Sequence, residues 1–293
     1  MKELLVLSGK GGTGKTSIVG SFAVFNKNAM LVDCDVDASD LHLLLTPEVK
    51  ERNDFISGVT AEIRPDDCSG CGTCVELCHY EAISMTHEEI ASVDHLSCEG
   101  CAVCAHFCPE DAIDLKPNHC GYWYFSHTEY GPMVHAELKP GEENSGKLVS
   151  LVKQKARQRA EELGKDIILV DGPPGIGCPV IASVSGADLI LVVTEPTQSG
   201  LHDLERVLGL AGHFKIRSCV CINKWELNRE MTEKIEETCR NRGIAVVGRV
   251  PFDETVIESL VQGVPVVEFK DCNASKSIAN IWDAIQKMLN QEE

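Results

Sequence analysis

The chain has 293 residues, about two average domains, and 43% of them are apolar, so it can bury a sizeable core. Its 27 basic and 45 acidic residues give a net charge of -18, which argues against binding to nucleic acid or anionic lipid. Its apolar runs fall far short of the roughly 20 residues of a membrane helix, and no signal-type segment follows Met1. We therefore expect a cytoplasmic protein that binds no nucleic acid.

The first predicted elements are a strand at Leu4–Leu7 and a helix at 17–25, joined by a glycine-rich loop. The loop reads Gly9-Lys10-Gly11-Gly12-Thr13-Gly14-Lys15-Thr16 and fits the phosphate-loop pattern in its required context of strand, loop and helix. Its N–H groups can surround phosphates, Lys15 can bind the β- and γ-phosphates, and Thr16 can hold Mg²⁺. We therefore predict that residues Gly9 to Ser17 bind a nucleotide.

A second predicted strand, Ala29–Asp33, leads into Asp33-Cys34-Asp35-Val36-Asp37. Carboxylates placed just after a strand end can contribute to a nucleotide site in a doubly wound sheet. Asp33 and Asp37 could instead cap or solvate the turn.

Fifteen cysteines without an export signal favour metal binding over disulfides. Eight of them form an internal repeat, because Cys68-x-x-Cys71-x-x-Cys74-x-x-x-Cys78 recurs as Cys98-x-x-Cys101-x-x-Cys104-x-x-x-Cys108-Pro109. Three close cysteines can wrap one cluster while the fourth points to a neighbouring cluster. The pattern resembles a bacterial-type ferredoxin with two 4Fe–4S clusters. Structural zinc is the alternative, although zinc usually takes separated cysteine pairs.

The ferredoxin resemblance implies two crossed ligand sets. Cys68, Cys71, Cys74 and Cys108 would bind one cluster, and Cys98, Cys101, Cys104 and Cys78 would bind the other. His79 departs from the pattern, since it stands where the second copy has Pro109.

Further strands of the buried type are predicted at 166–170, 189–194 and 218–222. The first ends in Asp171-Gly172-Pro173-Pro174-Gly175, where a carboxylate can hold the water of a bound metal and the loop can respond to a γ-phosphate. The third leads to Asn223, whose amide can pair with adenine. A later loop begins with Val250-Pro251.

The run from Lys10 to Thr16 resembles the deviant phosphate loop of the MinD/ParA and nitrogenase-iron-protein class. The resemblance implies an ATPase that dimerises with a second copy or a related ATPase, with Lys10 reaching the partner's nucleotide. It also implies that Asp35 lies near Mg²⁺ and the attacking water, that Asp171 belongs to the Walker B and switch II segment, and that Asn223 and Pro251 contact or flank the base. The catalytic residues implied are Lys10, Lys15, Asp35 and Asp171.

Nucleotide motifs lie on both sides of the cysteine repeat, so the repeat is interpreted as an insertion. We predict an α/β fold with a doubly wound, mostly parallel sheet at 1–54 and 117–293, and a small α+β ferredoxin-like domain inserted at 55–116. The whole chain thus resembles MinD-superfamily ATPases that carry an inserted ferredoxin domain.

Three other features leave alternatives open. The aromatic residues at 121–125 and Tyr130 indicate either core packing or a docking surface for a redox partner. Cys178 follows the switch II glycines, but its offset from Asp171 does not match the bridging-cluster ligand of nitrogenase iron protein. The apolar stripe from Ile278 to Leu289 is expected to pack on the core rather than to form a membrane anchor.

Two functions fit these patterns. The first is a Mg²⁺-dependent ATPase that couples nucleotide-driven changes of its switch loops to electron transfer through two 4Fe–4S clusters to a redox partner. The second is a scaffold or carrier in metal-cluster assembly, whose partner accepts the cluster. Four cysteines for each cluster leave no open iron position, which favours the first. A partition-type positioning protein fits the acidic charge poorly.

Overall fold

The computed structural model describes residues 1–291. The strands are β1 (Lys2–Ser8), β2 (Ala29–Asp33), β3 (Glu48–Ile63), β4 (Ile83–Met85), β5 (Ala91–Val93), β6 (Ile113–Thr128), β7 (Gly131–Leu138), β8 (Ile167–Pro174), β9 (Leu189–Thr194), β10 (Arg217–Asn223) and β11 (Ala245–Val250). The helices are α1 (Lys15–Phe25), α2 (Leu41–Leu45), α3 (Thr73–Leu77), α4 (Val103–His106), α5 (Ser145–Glu162), α6 (Cys178–Val184), α7 (Gln198–His213), α8 (Arg229–Asn241), α9 (Glu254–Val261), α10 (Val266–Phe269) and α11 (Asn273–Asn290).

Nine strands form one sheet in the order β11-β10-β9-β1-β8-β2-β7-β6-β3. Strand β1 pairs in parallel with β8 and β9, and the pairs β9–β10, β10–β11, β2–β8 and β2–β7 are parallel as well. The predicted α/β fold with a large, mostly parallel sheet is therefore confirmed. Because these strands run in one direction, the residues that follow their carboxyl ends meet at one edge of the sheet.

The main core lies where the sheet meets α1 and α11. Leu4 and Val6 of β1 are fully buried in it with Phe22 of α1, whose ring centroid lies 4.9 Å from that of Trp282 on α11. The predicted stripe of α11 is buried, as expected for a helix that packs on the core. Among residues 1–291, no helix is long and apolar enough to cross a membrane.

The chain divides into two compact units. The large unit comprises residues 1–53, 123–137 and the chain from Ser145 onward, and the cysteine unit comprises residues 54–122 and 138–144. The cysteine unit thus includes the whole of the segment 55–116 that the sequence assigns to an insertion, with two further pieces.

Within the cysteine unit, the internal sequence repeat is also a repeat of backbone conformation. The unit contains the short helices α3 and α4 and an antiparallel pair, β4–β5. Gly70 and Gly100 have φ of 72° and 63°, and Gly72 and Ala102, which precede α3 and α4, have φ of 75° and 65°. Each copy therefore makes the same left-handed turns before its helix.

Candidate functional site

The phosphate loop lies at the centre of the sheet, between the end of β1 and the start of α1 at Lys15. Gly14 precedes α1 with φ of 87°, a left-handed conformation that disfavours other residues. A Cβ atom on Gly14 would also overlap Nδ2 of Asn223. Both conditions require glycine here, directly before the helix N-terminus, where unpaired N–H groups can bind phosphate.

A cavity of about 430 Å³ lies over this loop. Its walls come from the loop, from the segment after β2, and from α2, β8 and α9; they are Ser8, Gly11, Gly12, Thr13, Gly14, Lys15, Thr16, Ser17, Asp35, Ala38, Asp40, Leu43, Leu44, Pro174 and Leu260. A cavity of this size, lined by successive loop N–H groups and a lysine, suits a nucleotide phosphate chain. Gly9, Lys10, Asn223 and Pro251 are not among these lining residues.

Lys15 is the centre of charge in this cavity. Its Nζ lies 2.6 Å from Asp171 Oδ1 and 3.8 Å from Asp35 Oδ2, and only 6% of the side chain is exposed. Burial disfavours its charge, but Asp171, Asp33 and Asp35 outweigh burial and raise the pKa of Lys15 above its ordinary value. Three carboxylates around one ammonium leave an excess of negative charge, so the site has room for a further cation.

Asp33 and Asp35 have different roles in the turn after β2. Asp33 accepts hydrogen bonds from the Ser39 hydroxyl at 2.7 Å, from the Leu41 N–H at 3.2 Å and from the Asp35 N–H at 3.0 Å, so it fixes the turn, which is one of the roles its sequence position allows. Asp35 lines the cavity. Burial, helped by the charge of Asp171 and opposed by Lys15, raises the pKa of Asp35 to about 6.

Lys10 is held within its own chain. Its Nζ lies 3.2 Å from Glu195 Oε2, and Nζ of Lys224 lies 2.5 Å from Glu195 Oε1. Although burial disfavours the charge of Glu195, the two lysines keep the pKa of this carboxyl below its ordinary value. Sequence reasoning missed Glu195; the available signal was its position directly after a buried strand, as for the other carboxylates of the site.

Asn223 also lies beside the loop. Its Nδ2 donates a hydrogen bond of 2.8 Å to the backbone oxygen of Thr13, and its side chain is largely buried. The residue therefore holds the loop in shape, a role that the sequence did not indicate. Pro251 follows the end of β11, and Phe252 after it donates its N–H to Glu226 Oε1 at 3.0 Å.

The cysteine unit has two cavities lined by the two cysteine sets. The first, which we call cavity one, is lined by Cys68, Cys71, Cys74 and Cys108. Cavity two is lined by Cys78, Cys98, Cys101 and Cys104. In each cavity, three cysteines of one repeat meet the last cysteine of the other.

Two kinds of metal group bind four cysteines in proteins, a 4Fe–4S cluster and a zinc ion. Among residues 1–291, no group of three or more His, Cys, Asp or Glu side chains is arranged to hold a single ion. A 4Fe–4S cluster binds each cysteine at a different iron, so its four sulfurs surround a volume rather than a point. Four cysteines match the ligand number of a tetrahedral zinc ion as well as that of a cluster.

The other cysteines lie apart from these cavities. Burial raises the pKa of the Cys34, Cys219, Cys221 and Cys239 thiols, which makes them poor nucleophiles and poor ligands. Cys178 is exposed at the start of α6. The aromatic residues Trp123, Phe125 and Tyr130 are buried, which agrees with the core-packing alternative for that segment.

Comparison with known proteins places this architecture in context. The sequence model of the CobQ/CobB/MinD/ParA nucleotide binding domain family matches residues 4–266. An uncharacterized protein of Methanocaldococcus jannaschii is 32% identical over 290 residues, which cover 98% of this chain and 97% of that protein. A second uncharacterized protein of that organism is 24% identical and matches 96% of this chain over its own full length.

Solved structures share the fold at low sequence identity. The cell division ATPase MinD of Pyrococcus furiosus has a TM-score of 0.60 at 18% identity, with 98% of this chain and 99% of that chain covered. MinD of Pyrococcus horikoshii, complexed with Mg-ADP, has a TM-score of 0.61 at 16% identity, with 99% and 97% covered.

Proposed function

The chain belongs to the CobQ/CobB/MinD/ParA nucleotide-binding family, and we propose that it is a Mg²⁺-dependent ATPase that couples its nucleotide cycle to electron transfer through two 4Fe–4S clusters. The family relationship supports nucleotide binding and hydrolysis. The redox half is supported by one observation: the eight repeat cysteines line two separate cavities in two crossed sets of four.

ATP is the nucleotide that we propose for the loop cavity. MinD of Pyrococcus horikoshii was solved with Mg-ADP and McdA(D38A) of Cyanothece with ATP, both on this fold. Here Lys15 would bind the phosphates, and Thr16 and Asp171 would hold Mg²⁺, which neutralises phosphate charge when bound. Water attacks the γ-phosphorus and the bond to the β–γ bridging oxygen breaks, giving ADP and phosphate. Asp35, with its raised pKa, orients that water and can accept its proton.

Lys10 supports a role for dimerisation. We propose that ATP draws Lys10 away from Glu195 and towards the nucleotide of a partner, either a second copy or a related ATPase. The side chain of Lys10 is 35% exposed and its one ion pair is to a single carboxylate, so little free energy holds it in place. The change would be transmitted to the end of β8 after Asp171, which also lines the nucleotide cavity through Pro174.

The cysteine cavities would hold the clusters permanently. Cys68, Cys71, Cys74 and Cys108 would bind one cluster, and Cys98, Cys101, Cys104 and Cys78 the other, each able to store and pass one electron when bound. Because each cavity provides four thiolates, neither cluster has an open iron position. This favours electron transfer by a retained cluster over transfer of the cluster itself. We therefore propose a redox protein as the partner, and not an apo-protein that accepts a cluster.

The test is an anaerobic preparation in which iron and sulfide are quantified and the clusters are titrated by EPR, without nucleotide and with Mg²⁺ and ATP. We expect about eight irons per chain and midpoint potentials that move on nucleotide addition. Lys15→Ala is the matched control, since it should keep the iron and lose the response to ATP. Zinc in place of iron would overturn the redox half, and eight irons with potentials indifferent to ATP would overturn the coupling.

A further inference from the structure

The two cysteine cavities have the same ligand count but different walls. The repeat makes Thr73 and Val103 equivalent, since each follows the second cysteine of its copy by two residues and begins α3 or α4. Thr73 lines cavity one and Val103 lines cavity two. Ser69 also lines cavity one and Leu77 also lines cavity two.

Thr73 contacts a cysteine sulfur directly. Its Oγ1 lies 3.4 Å from Sγ of Cys71. A thiolate bound to iron has no proton, so in the loaded site the hydroxyl is the only possible donor of this hydrogen bond. Val103 has no polar hydrogen, so the equivalent cysteine, Cys101, has no such donor from that position.

A donor to a ligand sulfur favours the reduced cluster, because reduction adds negative charge that the donor stabilises. A carboxylate near a cluster disfavours its reduced form. Each cavity has one carboxylate in its wall, Glu110 in cavity one and Glu99 in cavity two, so the two effects offset each other in the difference between the two reduction potentials. Ser69 adds a second hydroxyl to the wall of cavity one and Tyr80 adds a phenol to that of cavity two. Thr73 is the wall residue whose hydroxyl lies 3.4 Å from a ligand sulfur, so we assign the difference between the cavities to it.

We propose that Thr73 raises the reduction potential of the cluster held in cavity one above that of the cluster held in cavity two. An electron delivered by a one-electron donor protein then settles in cavity one, with no proton or further reactant required. The inference rests on the proposed function, since it needs both clusters to be present. It assigns Thr73 as a residue that tunes a potential, not as a ligand.

The test uses the repeat as its own control. In an EPR redox titration of the anaerobically prepared full chain, the wild-type protein should show two midpoints. Thr73→Val should lower the higher midpoint potential by about 59 mV. For a one-electron couple, this is about a tenfold decrease in the ratio of reduced to oxidised cluster at a fixed potential. Thr73→Ser, which keeps the hydroxyl, should restore the higher midpoint potential. Val103→Thr should raise the lower midpoint and bring the two together.

Thr60→Val is the matched control variant. Thr60 lies in the same unit, but its hydroxyl contacts Nδ1 of His95 at 3.1 Å and it lines neither cavity. It should leave both midpoints unchanged. Eight irons in Thr73→Val with unchanged midpoints, or a shift of the lower midpoint instead, would overturn this inference alone. Loss of iron from the wild-type protein would overturn the proposed function and this inference with it.

Discussion

Lys15 Nζ lies 2.6 Å from Asp171 Oδ1, and the two side chains are exposed to only 6% and 1%. They meet because β1 and β8 are parallel neighbours, so the loop after one strand and the carboxyl end of the other share one edge of the sheet. Because few solvent molecules reach this pair, each charge is stabilised by the other rather than by water, and the acidic side chains nearby further stabilise the charge of Lys15. A phosphate that binds Lys15 must therefore compete with Asp171.

Asp171→Asn should damage both stability and hydrolysis. Removing one partner of a buried ion pair costs about 3–5 kcal/mol, and because Asp35 still lies 3.8 Å from Lys15 we expect the lower end of that range. ATP hydrolysis should fall by about 10²-fold or more, since a group that stabilises the transition state is lost. Urea unfolding and phosphate release measure the two effects.

Asp283→Asn is the control for that substitution, because Asp283 is exposed on α11, away from the loop. It should change neither quantity. Hydrolysis by Asp171→Asn at the wild-type rate would remove Asp171 from the catalytic residues.

Asn223→Ala should separate two roles of that side chain. Loss of its hydrogen bond to the Thr13 oxygen removes about 0.5–1.5 kcal/mol of support for the loop. If this is its only role, calorimetry should show that ATP and inorganic tripolyphosphate both bind up to about tenfold more weakly. If it also contacts adenine, as the family resemblance implies, ATP should lose more affinity than tripolyphosphate does.

We expect the larger loss for ATP. Asn241→Ala, an exposed change at the end of α8, should alter neither affinity. An equal loss for both ligands would leave Asn223 as a loop support and remove it from the base site.

The nucleotide half of the site could be predicted because its signals are local. Glycines, Lys15 and Thr16 are consecutive, and strands such as Ala29–Asp33 and Leu189–Thr194 are continuous apolar runs with the bounds expected. By contrast, the sequence did not indicate β3. Its 16 residues are mostly polar and half of them are exposed, so no apolar run marks it, and its place at the sheet edge depends on pairing with a distant strand.

Glu195 shows the same limit within the site. A single acid after a strand is a weak signal, and its meaning depends on which strands are neighbours. Lys10 follows β1 and Lys224 follows β10, and only the order β10-β9-β1 places both lysines beside the residue that follows β9. The order of parallel strands is set by non-local packing, which a single sequence does not state.

Glu195→Gln should favour association of the protein in the presence of ATP. The substitution removes the carboxylate that holds Lys10, and a partly exposed ion pair of this kind contributes about 0.2–1 kcal/mol. Sedimentation velocity with Mg²⁺ and ATP should therefore show dimerisation that is tighter by up to about fivefold for each Lys10 released, and Lys10→Ala should abolish the effect of ATP.

Glu205→Gln provides the comparison for Glu195. Glu205 lies on α7 and pairs with Arg242 at 3.2 Å, so it carries a similar ion pair elsewhere on the large unit. It should leave the dimerisation constant unchanged. Weaker dimerisation of Glu195→Gln would show that Glu195 assists the interface instead of restraining Lys10.

Two groups of the large unit should give opposite pH dependences of stability. Burial raises the pKa of Asp35 to about 6, so the folded chain binds its proton more tightly than the unfolded chain does, and the contribution of Asp35 falls as pH rises from about 4 to 6. Burial lowers the pKa of His135 to about 4, so this ring is kept neutral. Its contribution is lost as pH falls below about 6.5, and therefore rises over nearly the same window.

The opposing contributions of Asp35 and His135 to stability can be separated by comparing each variant with the wild-type protein. The unfolding free energy of wild type minus that of Asp35→Asn should decrease from pH 4 to 6, whereas wild type minus His135→Gln should increase from pH 4 to 6.5. His135 also contacts Ser126 at 2.9 Å and stacks on Tyr124, and loss of those contacts lowers stability equally at every pH. The quantity to compare is therefore the slope of the free-energy difference against pH, and not its size. Parallel curves for Asp35→Asn and wild type would mean that Asp35 has the same pKa in the folded and unfolded chain, and the raised pKa that suits it to accept the proton of the attacking water would then be absent.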